Sequence, residues 1–596
     1  MKTIAVAFAA TLFCTQTATA MGLSPAHWAP GKREAAEALE AKTPWPLAAR
    51  TITGRRGVIS ATVSPIAVQA GLETLDHGGN AADAAVAVAL TQVTTQLGSV
   101  VSYAGIMTML YYNAKTGHIS SLDAGYNSYR GETDPNSIPN ADLSSLIGGK
   151  APPPSNELGR QTLVPGFMAG VEAMQHRFGR EEFADLMTPA IWYADNGVTI
   201  SPLLAGFFAY RQSVLSRTEE GRRFLHQASD DLPKTGDVFR QPELAETLRG
   251  VAREGAAYMY TGPWAKAFVT EVTRENGKAS LDDLANYRPI WSNPEHTHVF
   301  GHDVYVAGAP NLAAYQLLTA LNVAAELKLD ARAPFWKDPE SFRAVARIAD
   351  AVVGLPLLHP AISDRLKGVD VSPQGQRAHA FAQALTKLIE QGVPASTSGD
   401  SHHSNAIVVV DSDGNIAVMT HTINATMWGD TGIVVGGIPV PDSAGFQQFR
   451  LAQIKPGDRL PNEIADTIVL DARGRAVLAT ASIGSALLPE TMKEILGIIA
   501  WHQTPADLAA APPFLTNFEP GVFTQPPLTR ATKIPEGTYD ADFRKQLAAL
   551  GVKTSEVPQA TVASVRGTLA VVAIDPGTGA RATPEQPGVL VFGGAQ

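Results

Sequence analysis

Residues 399–422 constrain this chain more than any other stretch, because they join a polar loop to a buried hairpin. Residues 399–403 (GDSHH) are polar and turn-prone, and an apolar, β-branched run begins directly behind Ser404. Asp413-Gly414-Asn415 supplies a tight turn, and residues 416–422 have the pattern of the returning strand. The pattern therefore predicts a β-hairpin with a hydroxyl residue at its open end.

Two interpretations of this hairpin follow from the residues alone. In the first, it is an ordinary hairpin that is entered from a solvated loop. In the second, the loop is cut before Ser404, so that the serine becomes a chain end and its free α-amine acts as base for its own hydroxyl. An α-amine has an ordinary pKa of about 7.7–8.0, so a useful neutral fraction exists near neutral pH.

The composition is that of a globular protein and excludes several partners. Of 596 residues, 45% are hydrophobic and 17% are charged, which suffices for a large core. The formal net charge is −10 without a long basic run, which argues against a nucleic-acid partner.

No Walker loop, HExxH helix or Gly-x-Ser-x-Gly elbow occurs, so no cofactor is expected. The side chains of His402 and His403 would point apart on an extended chain, so no metal site is expected either.

The first twenty residues have the pattern of a signal peptide. Lys2 supplies the positive charge, residues 4–14 are a short apolar run, and Ala18-Thr19-Ala20 places small residues before a cleavage site. The apolar run is too short for a membrane anchor, so no membrane association is expected. Cleavage after Ala20 would remove Cys14, the one cysteine, which excludes thiol catalysis in the mature protein. We therefore predict a periplasmic or secreted protein.

The following part of the chain alternates short strands with tightly packing helices. One helix is predicted to begin at Ser64-Pro65 and to end at Gly78-Gly79. Asn80 caps a second helix, which runs to about Thr95 and is rich in Ala and Val. Predicted strands cover residues 57–62, 106–112 and 118–123. The small helical residues indicate close packing between layers.

Several segments, taken in order, resemble the γ-glutamyltransferase (γ-glutamyltranspeptidase) family. In the first half these are GVISA at 57–61, AVQAGL at 67–72, GGNAADAAVA at 78–87, LVPGFMAG at 163–170, FG at 178–179 and PA…ADNG at 189–197. In the second half they are VVDSDGN at 409–415, THTIN at 420–424, GIV at 432–434, LP…ADTIV at 460–469 and TASIGS at 480–485. Each match alone is short, but their shared order covers about residues 57–595, nearly the whole mature chain.

The family pattern assigns the nucleophile to one serine. Counting back from Asp411 along that pattern reaches Ser404, where the family usually has threonine. Serine keeps the hydroxyl and lacks only the methyl group, so the chemistry is kept. Ser401 is the rival, because Gly-Asp before a hydroxyl residue also resembles the family's cleavage site. Choosing Ser401 would require three extra residues before Asp411.

The resemblance implies a fold and a maturation step. The expected fold class is α+β, a four-layer αββα sandwich of the N-terminal nucleophile hydrolase superfamily. Cleavage before Ser404 would divide the mature protein into a large chain, 21–403, and a small chain, 404–596, which together form one composite domain. Ser404 would first attack the carbonyl of His403, giving an ester that water cleaves.

The resemblance also implies roles for four other residues. Thr422 lies where the family has a second hydroxyl that orients the nucleophile, although a threonine that only packs in a strand is the alternative. Asn424 would share the strand face of Thr422 and contact a polar group of the substrate. The backbone N–H groups of Gly484 and Ser485 would bind the oxyanion, although the family usually has two glycines there.

The substrate-binding positions depart from the family. The arginine that clamps the glutamyl α-carboxylate in the family is replaced by Gly125, and nothing in the sequence shows that Arg130 substitutes for it. Asp442 is the one carboxylate in the stretch 438–446 that matches the family's amine-binding residues. A serine pair of the substrate loop is replaced by Asn462-Glu463. The amide-cleaving groups are thus kept, whereas the site for a glutamyl zwitterion is rebuilt.

Three hypotheses follow from these observations. The first is an exported, self-processing γ-glutamyltransferase-like enzyme that takes glutathione or another γ-glutamyl donor and passes the acyl group to water or an amine. The second is an acylase that cleaves a non-glutamyl amide with the same groups. The third is a binding protein on this scaffold that never processes itself, and Gly125 motivates the last two. A small amide or peptide substrate and the two chains of one precursor are the expected partners.

Overall fold

Two seven-stranded β-sheets are stacked in the middle of the molecule. The computed structural model describes residues 22–43, 50–141, 156–226, 231–353, 364–391, 404–483, 487–512, 531–559, 568–585 and 591–596. Within these ranges, helices cover the outer face of each sheet. The protein is therefore an α+β protein with a four-layer αββα sandwich, and the predicted fold class is confirmed.

Every neighbouring pair of strands within the two large sheets is antiparallel. Across the first sheet the order is β1 (Arg50–Gly54), β19 (Arg581–Glu585), β18 (Thr568–Ile574), β15 (Ala476–Ile483), β14 (Thr467–Asp471), β9 (His302–Val306) and β8 (Glu295–Val299). Across the second sheet it is β20 (Val591–Ala595), β2 (Val58–Thr62), β10 (Ser404–Val410), β11 (Ile416–Thr422), β3 (Ile106–Asn113), β4 (His118–Ala124) and β7 (Ile290–Ser292). Short two-stranded pairs are β5 (Val198–Thr199) with β6 (Val238–Phe239), β12 (Val434–Val435) with β13 (Ile438–Pro439), and β16 (Thr532–Pro535) with β17 (Thr554–Val557).

The described helices before β8 lie on or near the second sheet, where α2, α3 and α4 pack directly against its strands. They are α1 (Lys32–Glu40), α2 (Pro65–Asp76), α3 (Ala81–Thr95), α4 (Phe167–Phe178), α5 (Phe183–Leu186), α6 (Thr188–Asn196), α7 (Pro202–Leu215), α8 (Glu219–Leu225), α9 (Pro242–Glu254), α10 (Ala257–Tyr260), α11 (Pro263–Arg274) and α12 (Leu281–Ala285). The predicted helices after Ser64 and Asn80 are therefore confirmed as α2 and α3.

The described helices after β9 include α13 and α18, which cover the first sheet. They are α13 (Ala313–Glu326), α14 (Pro339–Val353), α15 (Pro373–Gln376), α16 (His379–Glu390), α17 (Gln448–Leu451), α18 (Leu487–Ile499), α19 (Pro505–Ala510) and α20 (Ala541–Ala549). In the part of the chain that the structure describes, none of the helices combines the length and the apolar character that crossing a bilayer requires.

Three apolar layers hold the sandwich together, and the alternation of side chains along β10 shows how. Ala406, Val408 and Val410 enter the core between the two sheets, whereas Ile407 and Val409 enter the core beneath α2–α4. All seven residues of β10 are buried, because both faces of the strand are covered. Ser404 is two residues before Ala406 on the same strand, so its side chain also faces the core between the sheets.

Each large sheet combines strands from before and after Ser404. In the second sheet, β10 and β11 lie between β2 and β3, and β20 closes the edge beside β2. In the first sheet, β14, β15, β18 and β19 lie between β1 and β9. A cut before Ser404 would therefore leave two chains that remain joined by β-ladders, and the division of one composite domain into two chains stays a prediction.

Candidate active site

The turn at the end of the hairpin determines which residue lies opposite Ser404. The carboxylate of Asp411 accepts hydrogen bonds from the N–H groups of Asp413 and Asn415, each at 2.9 Å. This side-chain turn fixes the register of β10 against β11. In that register Ser404 is directly opposite Thr422 at the open end of the hairpin.

Ser404 and Thr422 are joined by a hydrogen bond. The Oγ of Ser404 donates to the Oγ1 of Thr422 at 2.8 Å, and the two residues are only 6% and 1% exposed. The N–H of Asn424 donates to the same Thr422 oxygen at 3.0 Å. The predicted pairing of nucleophile and second hydroxyl is thus present in the geometry, although the catalytic roles of both residues stay predictions.

The expectation that Asn424 continues the strand is wrong. Strand β11 ends at Thr422, and Asn424 has a left-handed backbone with φ of 48°. The chain leaves the sheet here because the carbonyl of Ile423 accepts hydrogen bonds from Ser443 Oγ at 2.5 Å and Tyr126 Oη at 3.1 Å. Asn424 therefore lies on the loop behind the Ser404–Thr422 pair, half-buried, and its contact with substrate stays a prediction.

Gly105 packs against the same strand end and was not singled out from the sequence. A Cβ at Gly105 would lie 2.5 Å from the carbonyl oxygen of Thr422, closer than packed atoms approach. The carbonyl of Gly105 accepts hydrogen bonds from the N–H groups of Gly166 and Phe167, each at 2.9 Å. Glycine is therefore required at this position, and the LVPGFMAG segment is tied to the open end of the hairpin through it.

The space beside Gly125 is occupied by Arg459, which the sequence did not indicate. A Cβ at Gly125 would lie 3.2 Å from the Cδ of Arg459 and 3.2 Å from an oxygen of Asp123. The guanidinium of Arg459 forms an ion pair with Asp123, and both side chains are buried. An arginine side chain thus approaches the position where the family has one, but it comes from a distant part of the chain.

The guanidinium of Arg459 is extensively bonded within the protein. Its Nε donates to Asn127 Oδ1 at 2.7 Å, and its Nη2 donates to the carbonyl of Arg288 at 2.7 Å. Its Nη1 donates to the carbonyl of Asp123 at 3.0 Å in addition to the ion pair. The guanidinium also lies 4.9 Å from the ring centre of Tyr287. These bonds leave little donor capacity for a substrate carboxylate.

The two residues of the substrate loop point in different directions. Asn462 Nδ2 donates to Asp123 Oδ2 at 2.7 Å, so Asn462 belongs to the cluster around Gly125. Glu463 forms an ion pair with Arg450 and is partly exposed. The structure therefore brings Asn462 to the position where the family arginine is missing, and directs Glu463 toward Arg450.

Asp442 is fully buried beside a second carboxyl group. Burial raises the pKa of Asp442 well above its usual range, and the neighbouring charge of Asp430 raises it further, against the lowering effect of Arg211. Arg211 forms its ion pair with Asp430. This environment therefore favours the protonated form of Asp442, and its contact with a substrate amine stays a prediction.

Another acidic residue, Asp466, lies close to the hairpin and was not assigned a role from the sequence. Its carboxyl group accepts hydrogen bonds from Thr420 Oγ1 at 2.6 Å and Thr108 Oγ1 at 2.7 Å. Asp466 is fully buried, and burial raises its pKa to about 7, although the two hydroxyl donors oppose the rise. Two features of the sequence indicate Asp466, its place directly before an apolar strand and its place in the matched segment at 460–469.

Some predicted site residues lie outside the described part of the chain. These are Ser401, His402 and His403 before the proposed cut, and Gly484 and Ser485 of the proposed oxyanion hole. The signal-peptide pattern at residues 1–20 also lies outside it. The oxyanion role of Gly484 and Ser485 stays a prediction.

Comparison with known proteins gives a match over most of the chain. The model of the Gamma-glutamyltranspeptidase family matches residues 67–586. A glutathione hydrolase proenzyme of Pseudomonas aeruginosa is 26% identical over 478 residues, which cover 74% of this chain and 79% of that protein. The capsule biosynthesis protein CapD proenzyme of Bacillus anthracis is 24% identical over 457 residues, which cover 74% of this chain and 75% of that protein.

A solved structure shares the fold at lower sequence identity. The crystal structure of cephalosporin acylase from Bacillus halodurans aligns with a TM-score of 0.76 and 20% identity. The alignment covers 93% of this chain and 98% of that chain. This likeness supports the four-layer sandwich, because the two chains agree over nearly their whole length.

Proposed function

The chain belongs to the gamma-glutamyltranspeptidase family, and from this premise we propose that it is a proenzyme that cuts itself before Ser404 and then uses Ser404 as nucleophile. The enzyme would cleave an amide and transfer the acyl group to water or to an amine. The observation that carries the proposal is the 2.8 Å hydrogen bond between Ser404 and Thr422 at the open end of the hairpin.

Self-cleavage would begin with the hydroxyl of Ser404. Its Oγ attacks the carbonyl carbon of His403, the peptide C–N bond breaks, and an ester joins His403 to Ser404 Oγ. Water then hydrolyses the ester, which leaves the carboxylate of His403 and the free α-amine of Ser404. The hydrogen bond to Thr422 supports this step, since it holds the attacking oxygen in one position.

Turnover would use the amine that cleavage creates. The α-amine of Ser404 takes the hydroxyl proton while Oγ attacks the substrate carbonyl, and the proton then passes to the leaving amine. Gly484 and Ser485 are proposed to donate their N–H groups to the oxyanion. Water or an acceptor amine finally attacks the acyl-enzyme and releases the acyl group from Ser404.

Cleavage of the purified protein is the first expected result. Denaturing electrophoresis should show two chains, and intact mass should place the start of the smaller chain at Ser404 and of the larger chain at Met21. The second mass also tests the proposed signal peptide, on which we base the inference of a periplasmic or secreted enzyme. An active preparation in which residues 403 and 404 are still joined would contradict the proposed mechanism.

The donor is proposed to be a γ-glutamyl amide such as glutathione, which is the substrate named for several relatives. Asn424, Asp442, Asn462 and Glu463 are the proposed substrate contacts. The second candidate is an acylase for an amide that lacks an α-carboxylate. It is favoured by the Gly125 cluster, where the guanidinium of Arg459 is already bonded to Asp123.

Two chromogenic donors distinguish these candidates. We expect the processed enzyme to release p-nitroaniline from γ-glutamyl-p-nitroanilide faster than from butyryl-p-nitroanilide, because the second donor has the same amide without the α-carboxylate and α-amine. The comparison is made as kcat/KM on one processed preparation, so that the state of the nucleophile is identical. Turnover of the butyryl donor alone would exclude the glutamyl donor and support the acylase.

A further inference from the structure

The end of the core between the sheets is polar where it reaches the hairpin. Along β11, Ile416 and Val418 enter this core, and Thr420 and Thr422 continue the same side-chain alternation. Ser404 and Thr108 share this face through their cross-strand pairs with Thr422 and Thr420. The hydroxyl groups of two adjacent strand pairs therefore converge at one end of the sandwich.

Asp466 enters the same polar end from the opposite sheet. It lies directly before β14, where the side chains of Ile468 and Leu470 face the core between the sheets. Asp466 is two residues before Ile468, so its side chain points to the same face. Its two carboxyl oxygens accept from Thr420 and Thr108. Thr420 and Thr422 are two residues apart on β11, which corresponds to roughly 6.5–7 Å along a strand, so the carboxyl group bound to Thr420 is next to the Ser404–Thr422 pair on this face of the sheet.

The charged groups around Asp466 are few in the described part of the chain. On β4, Asp123 is opposite Thr108 and is neutralised by its ion pair with Arg459. On β11, His421 faces the helix side of the second sheet and contacts Phe167. On β9, Asp303 lies toward the far end, opposite Leu470, and β15 carries no ionisable side chain. Within the described ranges, no ion pair joins Asp466 to a cation.

We propose that Asp466 is a positioning residue whose carboxylate stabilises the α-ammonium of Ser404, and that it thereby sets the pH range of activity. This inference rests on the proposed cleavage before Ser404. In the precursor the nitrogen of Ser404 is an uncharged amide, so the buried carboxyl group has no cationic partner among the residues that the structure describes. Cleavage creates an amine that becomes an ammonium when it takes the hydroxyl proton, and this ammonium is the cation that the carboxylate of Asp466 would stabilise.

The electrostatic effect of this arrangement has a definite sign. A carboxylate near an ammonium favours the charged form, so it raises the pKa of the α-amine, and the ammonium in turn favours ionised Asp466. The interaction persists at several ångströms because the site is buried and solvent screening is weak. A higher amine pKa means that the neutral base forms only at higher pH. The acid limb of the pH profile of kcat/KM, where activity is lost because the base is protonated, therefore lies at higher pH when Asp466 is ionised.

The test is Asp466→Asn, which keeps the shape and removes the charge. The acid limb of kcat/KM should move to lower pH by about one unit. Thr108→Val removes one of the two donors to the carboxylate, so it should move the limb in the same direction by less. This milder variant keeps the test open if Asp466→Asn does not fold. Asp471→Asn, at the other end of β14 where Asp471 pairs with Arg475, is the matched control and should leave the limb unchanged.

Three results would contradict the proposed role of Asp466 or the cleavage on which it depends. A lower kcat at every pH with an unmoved acid limb in processed Asp466→Asn and Thr108→Val would overturn the inference, since the carboxyl group would then only connect β14 to β3 and β11. A wild-type protein that stays uncut on a denaturing gel would refute the proposed function before any pH profile is measured. A shift of the acid limb in Asp471→Asn as large as in Asp466→Asn would also overturn the inference. The shift would then come from the loss of one negative charge anywhere in the protein and not from the position of Asp466.

Discussion

Replacing Ser404 with alanine is expected to leave one uncut chain and to abolish amide cleavage. The hydroxyl is the proposed attacking group both in self-cleavage and in turnover, so its loss removes both reactions at once. The drop in kcat should exceed about a thousandfold, as for other enzymes that lose a nucleophile. Electrophoresis measures the first effect, and release of p-nitroaniline from the better of the two chromogenic donors measures the second.

Two further variants make the result specific to the hydroxyl of Ser404. Ser404→Thr keeps the hydroxyl and adds a methyl group, so it should still be cut and should keep measurable turnover. Ser401→Ala removes the rival hydroxyl and should behave as the wild type. Two chains from Ser404→Ala, together with one chain from Ser401→Ala, would instead assign the nucleophile to Ser401.

The hairpin could be predicted from the sequence because its determinants are local. The turn around Asp411 uses residues within four positions of one another, and the β-branched run that follows Ser404 continues for a whole strand. These two features fix the register, and the register alone places Ser404 opposite Thr422. The layers of the fold followed from segments that match the family in the same order, not from any single pattern.

The clusters around the hairpin could not be predicted, because they join residues that are far apart in the chain. Asn462 and Asp123 are separated by 339 positions, and Asp466 and Thr108 by 358. Their contacts depend on how the first sheet stacks on the second, which no local propensity determines. The left-handed turn at Asn424 could not be predicted for the same reason, since distant Ser443 and Tyr126 bind the carbonyl of Ile423 directly before it.

The Gly125 cluster is the part of the structure on which the second candidate function, the acylase, rests. The carboxylate of Asp123 uses both of its oxygens on Arg459 and Asn462. A buried carboxylate in this position needs such partners, because an unpaired buried charge is costly. The guanidinium of Arg459 is therefore held by Asp123, and the missing side chain of Gly125 leaves the room that the Arg459 side chain occupies.

Removing the hydroxyl of Thr422 is expected to slow both self-cleavage and turnover. Thr422→Val has the same shape, but it leaves the Ser404 hydroxyl and the N–H of Asn424 without their shared acceptor. A buried donor that loses its acceptor costs about 1–3 kcal/mol, so each rate should fall roughly tenfold to a hundredfold. The rates are measured as the time course of chain cleavage and as kcat of the processed fraction.

Two matched variants separate the role of this hydroxyl from the general cost of a buried threonine. Thr422→Ser keeps the oxygen and should restore most of both rates. Thr74→Val removes an equally buried hydroxyl, which donates to the carbonyl of Ala70 at 2.9 Å inside α2, and should leave both rates unchanged. If Thr422→Val is cut and turns over like the wild type, Thr422 only packs in its strand. If Thr74→Val loses as much activity as Thr422→Val, the loss comes from lower stability of the protein. The hydroxyl of Thr74 bonds to Ala70 inside α2 and not to the hairpin.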